Sequence, residues 1–227
     1  MDIYIIGYGK MGKEVEKILT SRNHSVAGKL DIGDDINSAD AGDSICIDFT
    51  TPNAFKNNYK TIGDKFAGAV VGTTGWNDIK DEVTGYFKEK GKSLVYASNF
   101  SVGVNIFFDA LERLSSLTSQ AGGYNPYVVE LHHSEKKDAP SGTAKTMESI
   151  IEEYYKESIN IASVRSGNIK GIHEAGFDSN ADRITLKHEA LSREGFALGA
   201  VMAAEWLAEE PGVWDFRELL NKKLKLG

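Results

Sequence analysis

The stretch Asp2-Ile3-Tyr4-Ile5-Ile6-Gly7-Tyr8-Gly9-Lys10-Met11-Gly12 decides the fold at the amino-terminal end of the chain. Its first five residues predict a short buried strand, and Val15, Ile18 and Leu19 follow at helical spacing. In such a GxGxxG turn, Gly7 permits the tight turn, Gly9 lets a pyrophosphate approach, and Gly12 lets the helix pack on the strand. The context therefore favours dinucleotide binding by Gly7 to Gly12 over a purely structural glycine turn.

The residues after the second predicted strand, 25–30, bear on the choice of cofactor. Asp31 lies 19 residues after Gly12, where an acid meets the hydroxyls of the adenosine ribose. Asp31 and the acids behind it would repel a 2′-phosphate, whereas Lys29 and Lys10 would attract one. The sequence therefore predicts the use of either NADH or NADPH, with a mild tilt to NADH.

The first half of the chain continues to alternate strands with helices. Strands are predicted over 44–49, 68–71 and 93–97; one helical stretch follows Pro52 and continues to Phe66, and another covers 77–90. This alternation predicts a parallel sheet with its ligands beyond the carboxyl ends of the strands. The loops 49–53 and 72–76 should then line the same crevice as the glycine turn, and Thr73 and Thr74 should hydrogen-bond the cofactor, although an ordinary hydroxyl-rich turn is the competing interpretation.

The pattern changes after Gly103. A helix is predicted over 104–117, and further strands over 127–131, 161–165, 172–177 and 183–190, the last with the alternation of a half-buried antiparallel strand. An apolar helix over 196–208 should return to the first domain. The predicted fold class is α/β, with a Rossmann-type parallel sheet domain and a second α+β domain with a mainly antiparallel sheet. The predicted domains are 1–100, a dinucleotide-binding domain completed by 196–227, and 101–195, a domain for substrate binding and oligomerisation.

A second chemically rich stretch spans Glu130 to Ala144, Glu-Leu-His-His-Ser-Glu-Lys-Lys-Asp-Ala-Pro-Ser-Gly-Thr-Ala. His132 and His133 can exchange protons near neutral pH, and Lys136 and Lys137 add positive charge. Ser141 is predicted to cap a helix whose first N–H groups, on Gly142 and Thr143, would bind a carboxylate or phosphate. The competing interpretation is a solvated loop followed by an ordinary cap.

Composition narrows the function classes. The formal net charge of −7 over 227 residues argues against a nucleic-acid partner. The sequence contains no apolar run of membrane-spanning length and leaves no room for a signal peptide before the first strand, so we expect a cytoplasmic protein without a membrane partner. The single cysteine, Cys46, lies in an apolar run and is expected to fill the core. No metal site is expected, because no carboxylate and histidine spacing resembles one.

Distinctive segments occur along the chain at residues 7–12, 48–50, 72–75, 99–105, 130–144, Arg193 and 196–200. Together these segments resemble the 4-hydroxy-tetrahydrodipicolinate reductase (dihydrodipicolinate reductase) family. They span nearly the whole chain in order, and the block from His132 to Ala144 is the most specific of them. The chain departs from many relatives in being short between Asp31 and Ser44 and in lacking a basic residue directly after Asp31.

The resemblance implies reduction of 4-hydroxy-tetrahydrodipicolinate to tetrahydrodipicolinate, with loss of water, by NADH or NADPH in diaminopimelate and lysine biosynthesis. It implies that His132 is the acid and base, that Lys136 is a proton donor, and that His133, Gly142 and Thr143 bind the dicarboxylate substrate. It also implies a homotetramer joined through the second-domain sheets. It implies that residues 7–12, 72–74 and 97–100 hold the cofactor, and the spacing after the glycine turn adds Asp31. The predicted cofactor-binding residues are therefore Gly7, Tyr8, Gly9, Lys10, Met11, Gly12, Asp31, Gly72, Thr73, Thr74, Ala97, Ser98, Asn99 and Phe100.

Two other functions are compatible with the same fold. Another nicotinamide-dependent amino-acid dehydrogenase would place different residues over the nicotinamide. A non-catalytic nucleotide-sensing domain would keep the glycine turn but would not need both His132 and Lys136. The joint presence of these two side chains favours the reductase.

Overall fold

The chain forms two compact units. Residues 1–224 are described by the structure, a computed structural model. The first unit comprises residues 1–102 and the described residues from 193 onward, and the second comprises 103–192. The second unit is therefore inserted into the first. The predicted domain limits, at 100 and 196, differ from these boundaries by two and three residues.

Strands and helices alternate through most of the chain. The strands are β1 Asp2–Ile6, β2 Ser25–Leu30, β3 Ile45–Asp48, β4 Gly68–Val71, β5 Ser93–Tyr96, β6 Asn125–His132, β7 Asn160–Arg165, β8 Ile172–Asp178, β9 Arg183–Glu189 and β10 Val213–Asp215. The helices are α1 Lys10–Ser21, α2 Pro52–Lys65, α3 Lys80–Glu89, α4 Val102–Ala121, α5 Gly142–Tyr155, α6 Glu194–Glu209 and α7 Phe216–Leu224. Within residues 1–224, no helix combines the length and apolar character needed to cross a lipid bilayer.

The first unit contains a parallel sheet in the order β10, β5, β4, β3, β1, β2. The predicted parallel sheet is therefore confirmed. Its central strands β3 and β4 are buried at every position, because apolar side chains cover both faces of the sheet. On one face Phe55, Phe66 and Phe87 are fully buried. Replacing any of the three by Ala is expected to lower the free energy of unfolding by about 3–5 kcal/mol.

Helix α6 contributes to the core on the other face of this sheet. Its buried residues include Ala197, Ala200, Val201 and Ala204, which pack in the same cluster as residues of β1, β3 and α1. Gly199 lies so close to Phe100 that an added Cβ would come within 1.7 Å of the Phe100 carbonyl oxygen. The apolar helix predicted over 196–208 thus packs on the amino-terminal sheet.

Two details of the first unit differ from the sequence prediction. The helix predicted over 77–90 is a 3-10 turn, Asn77–Ile79, followed by α3. The short strand β10 was not predicted; its three residues, Val213 to Asp215, pair with β5 and are only partly buried. Three residues are too few to produce a recognisable period in the sequence.

The second unit contains a four-stranded sheet in the order β7, β6, β8, β9. Strands β6, β8 and β9 pair antiparallel, as predicted, whereas β7 is parallel to β6. The chain passes from β6 to β7 through α5, and such a crossover is what a parallel pair requires. Apolar residues of α4 and α5 cover Val128, Ala175 and Phe177 of the sheet.

Candidate active site

The glycine turn between β1 and α1 has the geometry of a phosphate-binding turn. Gly7 has φ +89°, and an added Cβ would come within 2.5 Å of the Phe49 carbonyl oxygen. A Cβ on Gly12 would come within 2.4 Å of the Gly7 carbonyl oxygen, whereas a Cβ on Gly9 would meet no atom within 4 Å. Gly9 is also the N-cap of α1 and has no side-chain cap. Open space therefore faces the positive end of the α1 dipole, where an anion is stabilised.

A cavity of about 510 Å³ opens beside this turn. Asp31 and Asp34 contribute acidic groups to it, and Ile6 and Leu30 contribute apolar surface. The Asp34 carboxylate accepts a hydrogen bond of 2.7 Å from the Asp31 backbone N–H. The cavity is large enough for a nucleoside and carries negative charge where the ribose is expected.

The basic side chain of Lys29, which hydrogen-bonds Tyr8 of the glycine turn, is already paired. Lys29 Nζ lies 2.6 Å from Glu16 Oε1 and donates a hydrogen bond of 3.2 Å to the Tyr8 hydroxyl. The Tyr8 hydroxyl in turn hydrogen-bonds Glu16. Glu16 and Tyr8 therefore compete with any ligand for the charge of Lys29.

The carboxyl ends of β3 and β4 are joined by a buried polar cluster. Thr73 Oγ1 donates a hydrogen bond of 2.5 Å to Asp48 and accepts one of 2.8 Å from the Thr50 backbone N–H. The Thr50 hydroxyl also donates to Asp48, at 3.0 Å. Burial raises the pKa of Asp48 to about 6, although hydrogen bonds from Thr73 and Thr50 act against burial. The Thr73 hydroxyl is thus engaged inside the protein, and Thr74 is the exposed hydroxyl of the pair.

The loop 72–76 lines a second, smaller cavity of about 180 Å³. Thr74, Ala97 and Ser98, all predicted to contact the cofactor, belong to its lining. The loop 49–53, in contrast, contributes to the larger cavity beside Gly7. The two loops predicted to line one crevice thus border different cavities, although hydrogen bonds join them, from Thr73 to Asp48 and from the Thr50 backbone N–H to Thr73.

The remaining predicted cofactor residues of the first unit have mainly structural contacts. Phe100 is buried, with its ring centroid 4.8 Å from that of Phe216. Asn99 Oδ1 accepts a hydrogen bond of 2.9 Å from the Ser101 backbone N–H. An added Cβ on Gly72 would lie 2.1 Å from the Phe49 ring. These residues shape the loops beyond β4 and β5 more than they present side chains to a ligand.

In the second unit, the strand β6 and the helix α5 form a corner. Ser141 is the N-cap of α5, and its hydroxyl accepts a hydrogen bond of 3.2 Å from the Ala144 backbone N–H. The predicted cap is therefore present. An added Cβ on Gly142 would meet no atom within 4 Å, so a ligand can approach the first turn of α5 closely. A carboxylate placed there would be stabilised by the helix dipole.

His132 ends β6 and lies among charged and titratable groups. Its Nδ1 hydrogen-bonds Oε2 of Glu130, two residues earlier on the same strand and therefore on the same face. Arg165, the register partner of His132 on β7, donates a hydrogen bond of 2.6 Å from Nη2 to Glu130 Oε1. His173 on β8 lies against His132, with ring centroids 5.0 Å apart. The strand register thus assembles a cluster of Glu130, His132, Arg165 and His173.

Burial and charge determine the protonation of these groups. Burial alone would raise the pKa of Glu130, but hydrogen bonds from Arg165 and Ser163 and the neighbouring positive charges lower it to about 2. Burial lowers the pKa of His132, and Lys136 and Arg165 lower it further, while Glu130 acts in the opposite direction. The pKa of His173 falls to about 4, chiefly through burial. Near neutral pH, Glu130 is ionised, whereas burial favours the uncharged form of both imidazoles.

The other predicted side chains of the corner are more accessible. Lys136 Nζ lies 2.8 Å from Asp138 Oδ1, and the backbone N–H of Lys136 donates to the carbonyl of His133. His133 is partly buried, and Lys137 is exposed. His132, Lys136 and Gly142 therefore lie along one short stretch, from the last residue of β6 to the first residue of α5.

The cluster also bears on the expectation that the chain has no metal ligands. Within residues 1–224, ligand atoms of Glu130, His132 and His173 all lie within 4.8 Å of one another, a grouping that sequence spacing did not predict. Both carboxylate oxygens of Glu130 are engaged, one by His132 and the other by Arg165. This donor set resembles a carboxylate and imidazole pair neutralised by a guanidinium more than a cation site.

Sequence reasoning did not assign four residues to these sites: Asp48, Glu130, Arg165 and His173. The place of Glu130 beside His132 could have been predicted, because residues two apart on a strand share a face. The place of Arg165 beside Glu130 could not, since it depends on the parallel register of β6 and β7.

Comparison with known proteins finds the same protein family in both units of the chain. The N-terminal domain of dihydrodipicolinate reductase matches residues 1–100, and the C-terminal domain of dihydrodipicolinate reductase matches residues 103–220. The 4-hydroxy-tetrahydrodipicolinate reductase of Christiangramia forsetii is 37% identical, covering 99% of this chain and 100% of the relative. The enzyme of the same name from Trichlorobacter lovleyi is 34% identical, covering 96% and 87%.

Solved structures show the same fold at lower identity. Dipicolinate-bound dihydrodipicolinate reductase from Paenisporosarcina sp. TG-14 has a TM-score of 0.77 and 21% identity, with 95% of this chain and 97% of that chain covered. A mutant meso-diaminopimelate dehydrogenase from Clostridium tetani has a TM-score of 0.58 and 11% identity, with 99% and 98% covered. The parallel sheet with its glycine turn and the separate sheet with its basic corner define a nicotinamide-dependent oxidoreductase of two units. Within that class, the chain belongs to the dihydrodipicolinate reductase family.

Proposed function

We propose that the chain catalyses the reduction of 4-hydroxy-tetrahydrodipicolinate to tetrahydrodipicolinate, with loss of water, in diaminopimelate and lysine biosynthesis. The observation that carries this proposal is the corner of the second unit, where His132, Lys136 and the amino terminus of α5 belong to one segment. Relatives that cover nearly the whole chain bear the name of this activity.

The dicarboxylate substrate would bind at the start of α5. Gly142 presents backbone without a side chain, and the capped helix directs its first N–H groups and its positive dipole end outward. Thr143 and His133 would supply further hydrogen bonds to the substrate, and Lys136 and Lys137 would attract its charge against the net charge of −7. A dipicolinate ligand is named for the related Paenisporosarcina enzyme, and dipicolinate is also a cyclic dicarboxylate.

A nicotinamide cofactor would supply the hydride when bound, and the chain would supply the proton. The residues proposed to hold that cofactor are the glycine turn 7–12, Asp31, the loop 72–74 and residues 97–100, and the open space at Gly9 fits a pyrophosphate. His132 would protonate the enamine formed by reduction of the conjugated imine, and Lys136 would serve as a further proton donor. Asp48 and Glu130 would not contact the reacting atoms; Asp48 would position Thr73, and Glu130 would position His132.

We infer that NADH is the preferred cofactor. Asp31 and Asp34 contribute to the cavity beside the glycine turn, and their charges repel a 2′-phosphate. Lys29, which would attract that phosphate, is paired with Glu16. NADPH would therefore be used with lower kcat/KM than NADH.

An assay in which the preceding synthase generates the substrate tests the proposal. Oxidation of NADH or NADPH should depend on the synthase and on the purified protein together. Oxidative deamination of meso-diaminopimelate or other amino acids with NAD+ would instead support an amino-acid dehydrogenase. Binding of NADH without turnover of either kind would support a nucleotide-sensing domain and would contradict the proposal.

The cytoplasmic location and the homotetramer implied by the family belong to the same proposal. The edge strand β7 carries Val164 with 40% of its surface exposed, and the sheet of the second unit offers such apolar positions to another copy. The mass of the protein in solution tests the assembly, because a monomeric mass would contradict it.

A further inference from the structure

We propose that Glu130, anchored by Arg165, is a positioning residue that holds the His132 ring by Nδ1 and stabilises its protonated form. The inference rests on the proposed function, because it assigns a role to a side chain that supports the proton donor. Glu130 itself contacts no reacting atom in this proposal. Its effect passes through the imidazole.

The surroundings of Glu130 are those of a fixed acceptor. Its side chain is fully buried, at 0% relative exposure. One oxygen hydrogen-bonds His132, and the other accepts from Arg165 Nη2 at 2.6 Å and from the Ser141 backbone N–H at 3.3 Å. A buried carboxylate is expensive unless it is paired, so this set of donors fixes both its charge and its orientation.

Arg165 anchors the carboxylate to the rest of the corner. Its Nη2 also donates a hydrogen bond of 2.5 Å to the carbonyl of Asp138, in the segment that carries Lys136. The Ser141 N–H that reaches Glu130 belongs to the N-cap of α5. Glu130 is therefore connected to the histidine, to the lysine segment and to the proposed carboxylate pocket.

This arrangement assigns different roles to the two nitrogens of His132. Because Glu130 is ionised and can only accept, Nδ1 must carry a hydrogen and donate it. Proton exchange with a ligand is then left to Nε2. Carboxylates that orient a catalytic imidazole in this way hold one tautomer and favour the imidazolium.

The charges around His132 show why the anion is needed. Arg165 on β7 and Lys136 in the loop both oppose its protonation, and His173 on β8 faces it as a second imidazole. His188 on β9 is the cross-strand neighbour of His173, and burial lowers its pKa. Glu130 on β6 supplies the negative charge that opposes these groups. Without it, His132 would be protonated only at lower pH.

The proton step is balanced without any change at Glu130. After hydride addition reduces the conjugated imine, the enamine carbon forms a bond to the proton of His132 Nε2, and the Nε2–H bond breaks. The imidazole becomes neutral and keeps its Nδ1 hydrogen, which it still donates to Glu130. It then regains an Nε2 proton from water. Glu130 remains ionised throughout.

The test compares two carboxylates with the same kinds of partner. In the first unit, Glu205 accepts from Arg22 at 2.7 Å and lies 2.7 Å from His24 Nε2, so it also joins an arginine and a histidine. Glu130→Gln should lower kcat by roughly 10- to 100-fold with little change in the Kd of NADH. Glu205→Gln should leave kcat unchanged.

The pH dependence separates positioning from a general loss of structure. Loss of the neighbouring negative charge should move the alkaline limb of the kcat profile of Glu130→Gln to lower pH by about one to three pH units. Glu130→Asp, which keeps the charge, should retain the alkaline limb near its wild-type position. A Glu130→Gln enzyme with the wild-type kcat and pH profile would overturn the proposal.

NMR of the His132 ring in the wild-type protein, without substrate, tests the geometry even if the variants do not fold or if the protein reduces a different substrate. Neutral His132 should be protonated on Nδ1. The Nε2–H tautomer would overturn the proposal, whereas failure of the coupled assay alone would count only against the substrate.

Discussion

The Asp48 carboxylate accepts a hydrogen bond of 2.5 Å from the Thr73 hydroxyl, and this contact joins the end of β3 to the loop after β4. Thr73 also accepts from the Thr50 backbone N–H, so one hydroxyl orders both loops. The loops proposed to contact the cofactor are therefore organised by a buried acid.

Asp48 should make stability depend on pH. Its pKa of about 6 in the folded protein lies above the 3.8 of an ordinary aspartate, because burial disfavours the charged form. As pH rises, the Asp48 carboxyl therefore loses its proton in the unfolded chain before it does so in the folded protein. The contribution of Asp48 to the free energy of unfolding is thus fully present below about pH 4 and is lost as pH rises to about 6. The free energy of unfolding of the wild type relative to Asp48→Asn should fall by about 3 kcal/mol over that range. Denaturant unfolding of both proteins at several pH values measures it, and a constant difference would contradict the prediction.

The glycine turn offers a matched pair of substitutions. Gly9→Ala places a methyl group in open space and should leave Tm nearly unchanged while raising the Kd of NADH by roughly tenfold. Gly12→Ala places a Cβ within 2.4 Å of the Gly7 carbonyl oxygen and should destabilise the fold by about 1–3 kcal/mol. Calorimetry of both variants, with and without NADH, tests the pair. Equal Tm losses would show that Gly9 is needed for folding.

The two adjacent lysines should differ. Lys136 is held by Asp138 in the corner that carries His132, whereas Lys137 is exposed. Lys136→Ala should reduce both substrate binding and turnover. For comparison, His132→Gln should lower kcat by roughly 10² without changing cofactor affinity. Lys137→Ala should be mild. If steady-state kinetics showed Lys137→Ala to be the more damaging of the two lysine variants, the assignment within this segment would be wrong.

Cofactor preference should respond to the partner of Lys29. Glu16→Gln removes the charge that holds Lys29 and should raise the ratio of kcat/KM with NADPH to that with NADH by roughly two- to fivefold, since exposed ion pairs are worth about 1 kcal/mol or less. Glu14→Gln is the control, because Glu14 pairs with Lys17 on the same helix. A ratio that rose equally in both variants would indicate a general effect of net charge.

The parallel sheet could be predicted because its strands are short apolar runs that alternate with amphipathic helices. The cap at Ser141 was also readable, since a serine before Gly-Thr and an apolar helix is a local signal. The pairing of His132 with Arg165 across β6 and β7 was not readable, because register depends on residues distant in the sequence. The role of Thr73 was hidden for the same reason: its hydroxyl is directed by Asp48, 25 residues earlier.

The insertion of residues 103–192 between β5 and α6 bears on the order in which the two units can fold during synthesis on the ribosome. The core that contains β1 and β3 needs Val201 and Phe216, which are synthesised last. During translation, the inserted unit can therefore complete its own core while the first five strands still lack their covering helix. We expect the amino-terminal sheet to be the part of the nascent chain that depends most on chaperones.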